Sequence, residues 1–291
     1  MGGAVMQGGL NGVRVVSLAV NIPGPLAAGR LAGLGASVTK VEPPTGDPLA
    51  AVTPDWYAEL VADQQILVLD LKNEADREKL DSELTGADVL LTAMRPSALR
   101  RLGLGDAPGR YPGLSHVEIV GYDGDLEERP GHDLTYQASC GTLQPPAMPR
   151  VPVADLLGAE RAASAALLAL YAPRDGGAGQ HCRIVLADAA ADAGAGVRHG
   201  VTGPGDPLGG AMPTYGIYAS ADGYIALGAI EPHFQQRTLA TLGAVDSRED
   251  LARVFAGHST RHWEELAEKV DIPIVGVRIG ECRHPQGEMR T

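Results

Sequence analysis

The N-terminal part of the chain alternates between short β-branched runs and helical segments, in the order that βαβ units show. Residues 13–18 form a run suited to a buried strand, residues 26–34 carry small residues at helical spacing, and residues 36–42 form a second strand-like run. Gly35 stands where a C′ glycine would end the helix. Strand, helix and strand at these lengths predict a parallel sheet with right-handed crossovers, because parallel strands need a long connection.

The same alternation continues as far as residue 171. The predicted strands are 66–71, 89–92 and 116–120, and the predicted helices are 74–84, 97–102 and 155–171. Residues 155–171 have a composition rich in Ala and Leu, which favours a buried helix. We therefore expect an α/β fold, in which a Rossmann-like parallel sheet forms a large domain over residues 1–193.

The composition of the sequence changes after residue 193. Residues 194–211 are dense in Gly and Pro, which predicts a linker. Two apolar runs then flank Asp222-Gly223, a pattern typical of a hairpin, and helical segments follow at 233–242 and 261–270. We expect residues 212–291 to form a smaller α+β domain.

Composition excludes several classes of protein. The formal net charge of −12 argues against nucleic-acid binding, which normally requires a basic face. Three cysteines, Cys140, Cys182 and Cys282, are too few and too scattered for a disulfide framework or a zinc site, and they indicate reduced thiols. The first apolar run is too short to span a membrane and no segment is typical of a signal peptide, so we expect a cytoplasmic protein.

A βαβ opening raises the question of a dinucleotide site, since Glu42 stands where an acid would bind a ribose. Such a site requires G-x-G-x-x-G in the first turn. Residues 24–29 have Gly-Pro-Leu-Ala-Ala-Gly instead, with Pro25 where the backbone must approach a pyrophosphate closely. The sequence therefore does not favour binding of NAD or FAD.

Three polar residues stand at positions where a catalytic group would be well placed. His132 follows Pro-Gly, Asp155 opens the long helix, and Glu231 ends an apolar run before a proline. Each also has a purely structural interpretation. Asp133 could cap a helix and leave His132 exposed, Asp155 could be the N-cap of its helix, and Glu231 could interact with the first amides of the next helix. Taken singly, these residues leave both interpretations open.

Several short motifs, taken as a set, resemble those of the family III CoA-transferase superfamily from about Leu10 to the C-terminus. They are L-x-G-x-R-V-x-x-L at 10–18, Gly24-Pro25, Leu-Gly-Ala-Ser-Val-Thr-Lys-Val-Glu at 34–42, Asp70-Leu71-Lys72, Arg95-Pro96, Arg-Leu-Gly-Leu at 101–104 and Asp-Leu-Leu-Gly at 155–158. Gly131-His132-Asp133 and the Glu-Pro of residues 228–234 are similar to the α-methylacyl-CoA racemase branch.

This resemblance implies an acyl-CoA substrate and a racemase or epimerase that inverts the α-carbon of a 2-methylacyl-CoA thioester. It implies His132 and Asp155 as the acid–base pair, with Glu231 hydrogen-bonded to Asp155. The resemblance also implies an interlocked homodimer, in which the small domain of one subunit closes the site of the other, and no metal or cofactor beyond the CoA moiety. The residues expected near CoA are Lys40, Lys72, Arg95, Arg101 and Asp133.

The residue types suit this chemistry. Removing the weakly acidic proton next to a thioester needs a positioned base, and inversion needs a second group on the opposite face to return a proton. Two alternatives remain. In a CoA-transferase, Asp155 would be the nucleophile that forms a mixed anhydride while CoA passes between acids. The chain could also be a catalytically silent CoA-binding subunit, since members of the superfamily run longer at the C-terminus and this chain is apparently shortened, ending at Thr291.

Overall fold

The computed structural model describes residues 8–172 and 179–280, so Cys282 lies outside the described residues. The chain divides into two compact units, the first ending at Ala195 and the second beginning at Gly196. Within the described ranges, no helix has both the length and the apolar composition that crossing a membrane requires.

A six-stranded parallel sheet forms the centre of the first unit. Its strands are β1 (Arg14–Ser17), β2 (Ser37–Glu42), β3 (Gln64–Val68), β4 (Val89–Thr92), β5 (Ser115–Val120) and β6 (His181–Val185). The strand order is β3-β2-β1-β4-β5-β6, and each neighbouring pair is parallel. From β1 the chain therefore winds first toward one edge and then toward the other. This topology confirms the predicted α/β fold with a Rossmann-like sheet.

Helices connect these strands. They are α1 (Pro23–Gly33), α2 (Pro48–Val52), α3 (Pro54–Val61), α4 (Glu74–Thr85), α5 (Pro96–Arg101), α6 (Ala107–Arg110), α7 (Asp133–Gln137), α8 (Val153–Tyr171) and α9 (Leu186–Ala193), and α10 (Ala195–Arg198) crosses the division between the units. The predicted helices 26–34, 74–84, 97–102 and 155–171 are confirmed to within a few residues as α1, α4, α5 and α8.

The two faces of the sheet pack into separate hydrophobic clusters, because successive side chains of a strand point to opposite faces. In β1, Val15 belongs to the cluster that contains α1 and α8, and Val16 belongs to the cluster that contains α4, α5 and α6. Both valines are buried. Strands β4 and β5 are buried at every position because both faces of the sheet are covered there, whereas the edge strand β3 leaves Ile66 and Val68 exposed.

Helix α1 ends in the way that the sequence predicts. Gly35 has φ +104°, its N–H donates to the carbonyl of Ala32, and the N–H of Ala36 donates to the carbonyl of Leu31. These two bonds make a Schellman motif, whose left-handed residue favours glycine.

Helix α8 packs closely because its buried face consists of small residues. Ala154, Ala159, Ala162 and Ala166 have no exposed surface, and the same cluster includes Ala27 of α1. Small side chains let helix axes approach one another and the sheet, which compensates for a scarcity of aromatic residues.

The second unit contains a three-stranded antiparallel sheet in the order β7 (Tyr215–Ala219), β8 (Tyr224–Gly228), β9 (Ile274–Gly276). Its helices are α11 (Pro232–Leu242), α12 (Arg248–Phe255) and α13 (Thr260–Val270). Tyr218, Phe255 and Trp263 form the aromatic part of its core. The predicted hairpin is confirmed as β7 and β8, and the predicted helices 233–242 and 261–270 are confirmed as α11 and α13.

Several elements differ from the expectations. Helices α2, α3, α6, α9, α10 and α12 and strands β6 and β9 were not predicted, and the strand expected at 66–71 runs from Gln64 to Val68. The stretch 194–211 contains α10 and a 3-10 turn at Pro207–Gly209, and the N–H of Leu208 donates to the carbonyl of Val201. Its role as a linker, with domain limits at 193 and 212, stays a prediction.

Candidate active site

A cavity of about 240 Å³ opens where β1, β4 and β5 end. Residues after β1 and β4, including Asn21 and Arg95, line one side, and Gly121 after β5 lines another. The connections from β1 and β4 lead to opposite edges of the sheet, so this is the topological switch point at which open α/β sheets bind ligands. His132 and Asp155 both line this cavity. The fold thus brings together two residues that are 23 positions apart in the sequence.

His132 is the N-cap residue of α7 and has an extended backbone, with φ −140° and ψ 168°. Its backbone is fixed by Thr135, whose hydroxyl accepts from the His132 N–H at 3.0 Å and donates to the His132 carbonyl at 2.7 Å. The residue itself is exposed, as the structural interpretation expected. A fixed backbone therefore holds an accessible imidazole at the rim of the cavity.

Asp155 lies in the first turn of α8 and is half-buried. Pro152, three residues earlier, is the N-cap of this helix, so the interpretation of Asp155 as its N-cap is wrong. Burial in the first place, and the charge of Asp133 in the second, raise the pKa of the Asp155 carboxyl to about 7. Such a group can both accept and donate a proton near neutral pH.

Asp133 provides the cap that α8 lacks in its own sequence. Its Oδ1 accepts from the backbone N–H of Ala154 at 2.7 Å and of Asp155 at 3.3 Å, and its Oδ2 accepts from Gln137 Nε2 at 2.6 Å. The same Gln137 nitrogen donates to the carbonyl of Val151 at 3.0 Å. Asp133 therefore does cap a helix, but a different one from the helix that it begins.

Tyr136 is a cavity residue that sequence reasoning missed. Burial and neighbouring groups raise the pKa of its hydroxyl to about 12. A Cβ at Gly121 or Gly131 would lie within 2.5 Å of the Tyr136 ring or hydroxyl, so both positions need glycine for the ring to lie there. The available signal was the Pro-Gly that precedes His132, which leaves space for this ring.

The basic residues expected near CoA have different surroundings. Arg95 is exposed and lines the cavity of His132 and Asp155. Lys72 is exposed and lines a second, mainly apolar cavity of about 350 Å³, whose wall shares Ala93 and Met94 with the first. Arg101 is exposed in the last turn of α5.

Lys40 corrects the expectation of a CoA contact. Its side chain has no exposed surface, and its ammonium lies 2.8 Å from Asp47 Oδ2, 3.0 Å from Glu42 Oε1 and 3.4 Å from the Ala19 carbonyl. An ammonium has three N–H donors, so these three acceptors satisfy it. Lys40 therefore cannot reach a phosphate in this conformation, because its charge is neutralised inside the first unit.

The buried ion cluster of Lys40, Glu42 and Asp47 supports the wall of the cavity. Asp47 Oδ1 accepts from the backbone N–H of Asn21 at 3.1 Å, and Asn21 has a left-handed backbone with φ +63°. Tyr57 donates a hydrogen bond to Glu42. The cluster thus fixes the turn that follows β1, which lines the cavity.

Glu231 belongs to the second unit, where it is exposed and is the N-cap residue of α11. Its carboxylate makes no capping hydrogen bond, and its expected electrostatic interaction with the first amides of that helix stays a prediction. The hydrogen bond between Glu231 and Asp155 stays a prediction.

Comparisons with known proteins agree with this architecture. The model of CoA-transferase family III matches residues 10–281. The probable fatty acyl-CoA transferase Rv3272 of Mycobacterium tuberculosis is 26% identical over 91% of this chain and 76% of its own length. The α-methylacyl-CoA racemase of Mus musculus is 29% identical over 89% of this chain and 70% of its own length.

A solved structure has the same fold. The crystal structure of the M. tuberculosis protein Rv3272 superposes with a TM-score of 0.79 at 24% identity, over 94% of this chain and 86% of that one. The doubly wound sheet with a cavity at its switch point and the match over residues 10–281 lead to one conclusion: the chain is a member of CoA-transferase family III.

Proposed function

We propose that this protein is an acyl-CoA racemase or epimerase, which inverts the carbon next to the thioester of a 2-methylacyl-CoA. One of His132 and Asp155 removes the α-proton, and the other returns a proton to the opposite face of the planar enolate. The observation that carries the proposal is that both groups line one cavity and that the pKa of Asp155 is raised to about 7.

The raised pKa matters because inversion runs in both directions. In one direction Asp155 must be a carboxylate that takes a proton, and in the other it must be an acid that gives one. A carboxyl with a pKa of about 7 populates both forms near neutral pH. An ordinary carboxyl would be a poor acid at that pH.

The surroundings of the cavity support a CoA thioester as the substrate. Arg95 lines the cavity of the proposed acid–base pair, and Lys72 lines the adjoining apolar cavity. Cationic groups suit the phosphates of CoA, and an apolar wall suits its adenine or pantetheine. The proposal retains Arg95, Lys72 and Arg101 as CoA contacts, and it requires no metal or further cofactor.

The remaining parts of the proposal concern the second unit. Glu231 would accept or share a proton with Asp155, and two copies would interlock so that the small domain of one covers the cavity of the other. Support comes from the α-methylacyl-CoA racemase that matches 89% of this chain.

Transfer of CoA between carboxylic acids is the second candidate, and the relative named as a probable fatty acyl-CoA transferase favours it. In that reaction the Asp155 carboxylate attacks the thioester carbonyl, forms an aspartyl anhydride and releases the CoA thiolate. His132 has no obligatory part in these steps. The two reactions therefore differ in whether the α-proton exchanges when no acceptor acid is present.

The decisive experiment incubates one epimer of a 2-methylacyl-CoA in D₂O without an acceptor acid. We expect deuterium at the α-carbon and formation of the other epimer. His132→Gln and Asp155→Asn should each reduce exchange on the order of a hundredfold or more, whereas Asp63→Asn, an exposed residue in the first unit, should not. Absence of exchange, with CoA passing to an added acid, would establish the transferase, and absence of both activities would favour a silent CoA-binding subunit.

A further inference from the structure

The segment that presents His132 also holds the backbone of Asp155. Asp133 is the next residue after His132 and the first residue of α7. Its carboxylate crosses to the start of α8, where it accepts from the N–H groups of Ala154 and Asp155. The segment of His132 and Asp133 therefore contains one proposed proton-transfer group, His132, and Asp133 holds the backbone of the other, Asp155.

Helix α8 depends on this contact because its own N-terminus supplies no cap. Its N-cap is Pro152, which has no side-chain acceptor. The first N–H groups of a helix have no partner within the helix and need an acceptor from elsewhere. Asp133, more than twenty residues earlier in the chain, is that acceptor for two of them.

Buried amide groups hold the Asp133 carboxylate in turn. Gln137 is buried, donates to Asp133 Oδ2 at 2.6 Å and to the Val151 carbonyl at 3.0 Å, and its Oε1 accepts from the Thr142 hydroxyl at 3.3 Å. The two carboxylate oxygens of Asp133 accept three hydrogen bonds from groups of the protein, so Asp133 is poorly placed to contact a substrate.

We propose that Asp133 is a positioning residue, which fixes Asp155 relative to His132. The inference rests on the proposed function in taking Asp155 as a group that moves the α-proton. It replaces the expectation that Asp133 contacts CoA. The charge of Asp133 is one of the two causes of the raised pKa of Asp155, which agrees with this role.

The test compares Asp133→Asn and Asp133→Ala with the wild-type protein. Asn keeps an oxygen acceptor for the first turn of α8 but removes the charge, whereas Ala removes both. Asp106→Asn is the matched control, because Asp106 is also a capping carboxylate, at α6, and accepts from the N–H of Gly109.

The first measurement follows the carboxyl carbon of Asp155 by ¹³C NMR across pH in the full chain without substrate, with the signal assigned from Asp155→Asn. We expect the titration midpoint to fall in Asp133→Asn and to stay unchanged in Asp106→Asn. This readout does not depend on activity, so it judges the inference even if the proposed racemase activity is absent. An unchanged midpoint in Asp133→Asn would overturn the inference, because a carboxylate held beside Asp155 must raise the pKa of Asp155.

The second measurement is the rate of α-proton exchange. In Asp133→Ala we expect kcat to fall on the order of tenfold to a hundredfold, since small displacements of reacting groups cost that much, with KM changed less than about twofold. Gln137→Leu, which removes one of the three donors that hold the Asp133 carboxylate and keeps the acid, should also lower kcat, and it serves if Asp133→Ala does not fold. A rise in KM at unchanged kcat would instead identify Asp133 as a substrate contact and refute the inference.

Discussion

Asp155 is a half-buried carboxyl whose ionisation lowers the stability of the folded protein. Its pKa rises from an ordinary 3.8 to about 7, so the folded state binds this proton more tightly than the unfolded state does. The stabilisation that results is complete below about pH 3.8 and is lost as the pH rises through about 7. Above that pH the folded protein carries a carboxylate that its surroundings disfavour.

Because ionisation of Asp155 destabilises the folded protein, a side chain that cannot ionise at this position should stabilise it at high pH. Asp155→Asn keeps the size of the side chain and cannot ionise, so it should unfold at a higher temperature than the wild type at pH 8 to 9. The gain should be on the order of 2–4 kcal/mol and should vanish near pH 4. Thermal unfolding by circular dichroism measures it, with Asp63→Asn as the control. A gain that is equal at both pH values would contradict the pKa given for Asp155.

For single residues, the sequence indicated which residues lie at the cavity, but it did not indicate which contacts their side chains make. Short motifs singled out His132 and Asp155, which line one cavity, and their role as an acid–base pair stays a prediction. They could not show that Lys40 is buried, because a lysine near two acids has the same local sequence whether it faces solvent or the core. Nor could they show that Asp133 caps α8, since that bond joins elements that only the tertiary fold brings together.

Helix α1 offers a comparison of two glycines within one element. A Cβ at Gly24 would lie 2.5 Å from the carbonyl carbon of Ala19, so the glycine allows the helix to start directly against the end of β1. A Cβ at Gly33 would meet nothing within 4 Å. The two positions should therefore respond oppositely to alanine.

We expect Gly24→Ala to lower the free energy of unfolding by about 2–4 kcal/mol, because the clash is with backbone that cannot move alone. Gly33→Ala should raise it by about 0.5–1 kcal/mol, through the better helix propensity of alanine. Urea denaturation of both variants measures the difference. Equal effects at the two positions would show that the close approach at Gly24 is not what requires glycine.

The elements that the sequence predicted are those with strong patterns. Buried β-branched runs identified β1, β2, β4 and β5, and the apolar runs around Asp222-Gly223 identified the hairpin of the second unit. Helices α2 and α3 were missed because Pro48 and Pro54 suggest a loop, although each proline stands at the first position of a helix, where its missing N–H costs nothing. Strand β6 was missed because polar residues interrupt its five-residue run.

For the molecule as a whole the net charge is −12, and both basic residues (Arg95, Arg129 and Lys72) and acidic residues line the two cavities near the switch point of the sheet. Local charge, and not the total, decides which ligand a cavity can hold. The sequence predicted a Rossmann-like parallel sheet because strands that alternate with helices require right-handed crossovers, whereas the strand order is known only from the structure.

The second unit has exposed apolar residues on one face of its sheet. The outer face of its sheet carries Ile217 and Val275, which are 63% and 59% exposed and lie in register across Ala226 of β8. Exposed apolar residues grouped in this way are typical of interaction sites.

We expect the chain to sediment at twice its own mass at micromolar concentration, as the proposed interlocked dimer requires. Ile217→Lys should shift the protein toward the monomer and reduce α-proton exchange, whereas Val245→Lys, at an apolar residue that is 65% exposed but lies outside the sheet, should do neither. Sedimentation velocity measures both. A wild-type protein that remains monomeric and still exchanges the α-proton would refute the dimer.

Lys40, Glu42 and Asp47 restrict how related chains can diverge. Losing one partner of a buried ion pair leaves an uncompensated charge and costs about 3–5 kcal/mol, whereas replacing the whole set with apolar residues of similar volume is often close to neutral. The exposed pair of Arg261 and Glu265 carries no such penalty and can change one residue at a time. In the evolutionary history of this fold, the three buried positions should therefore be inherited or lost together, as a single character.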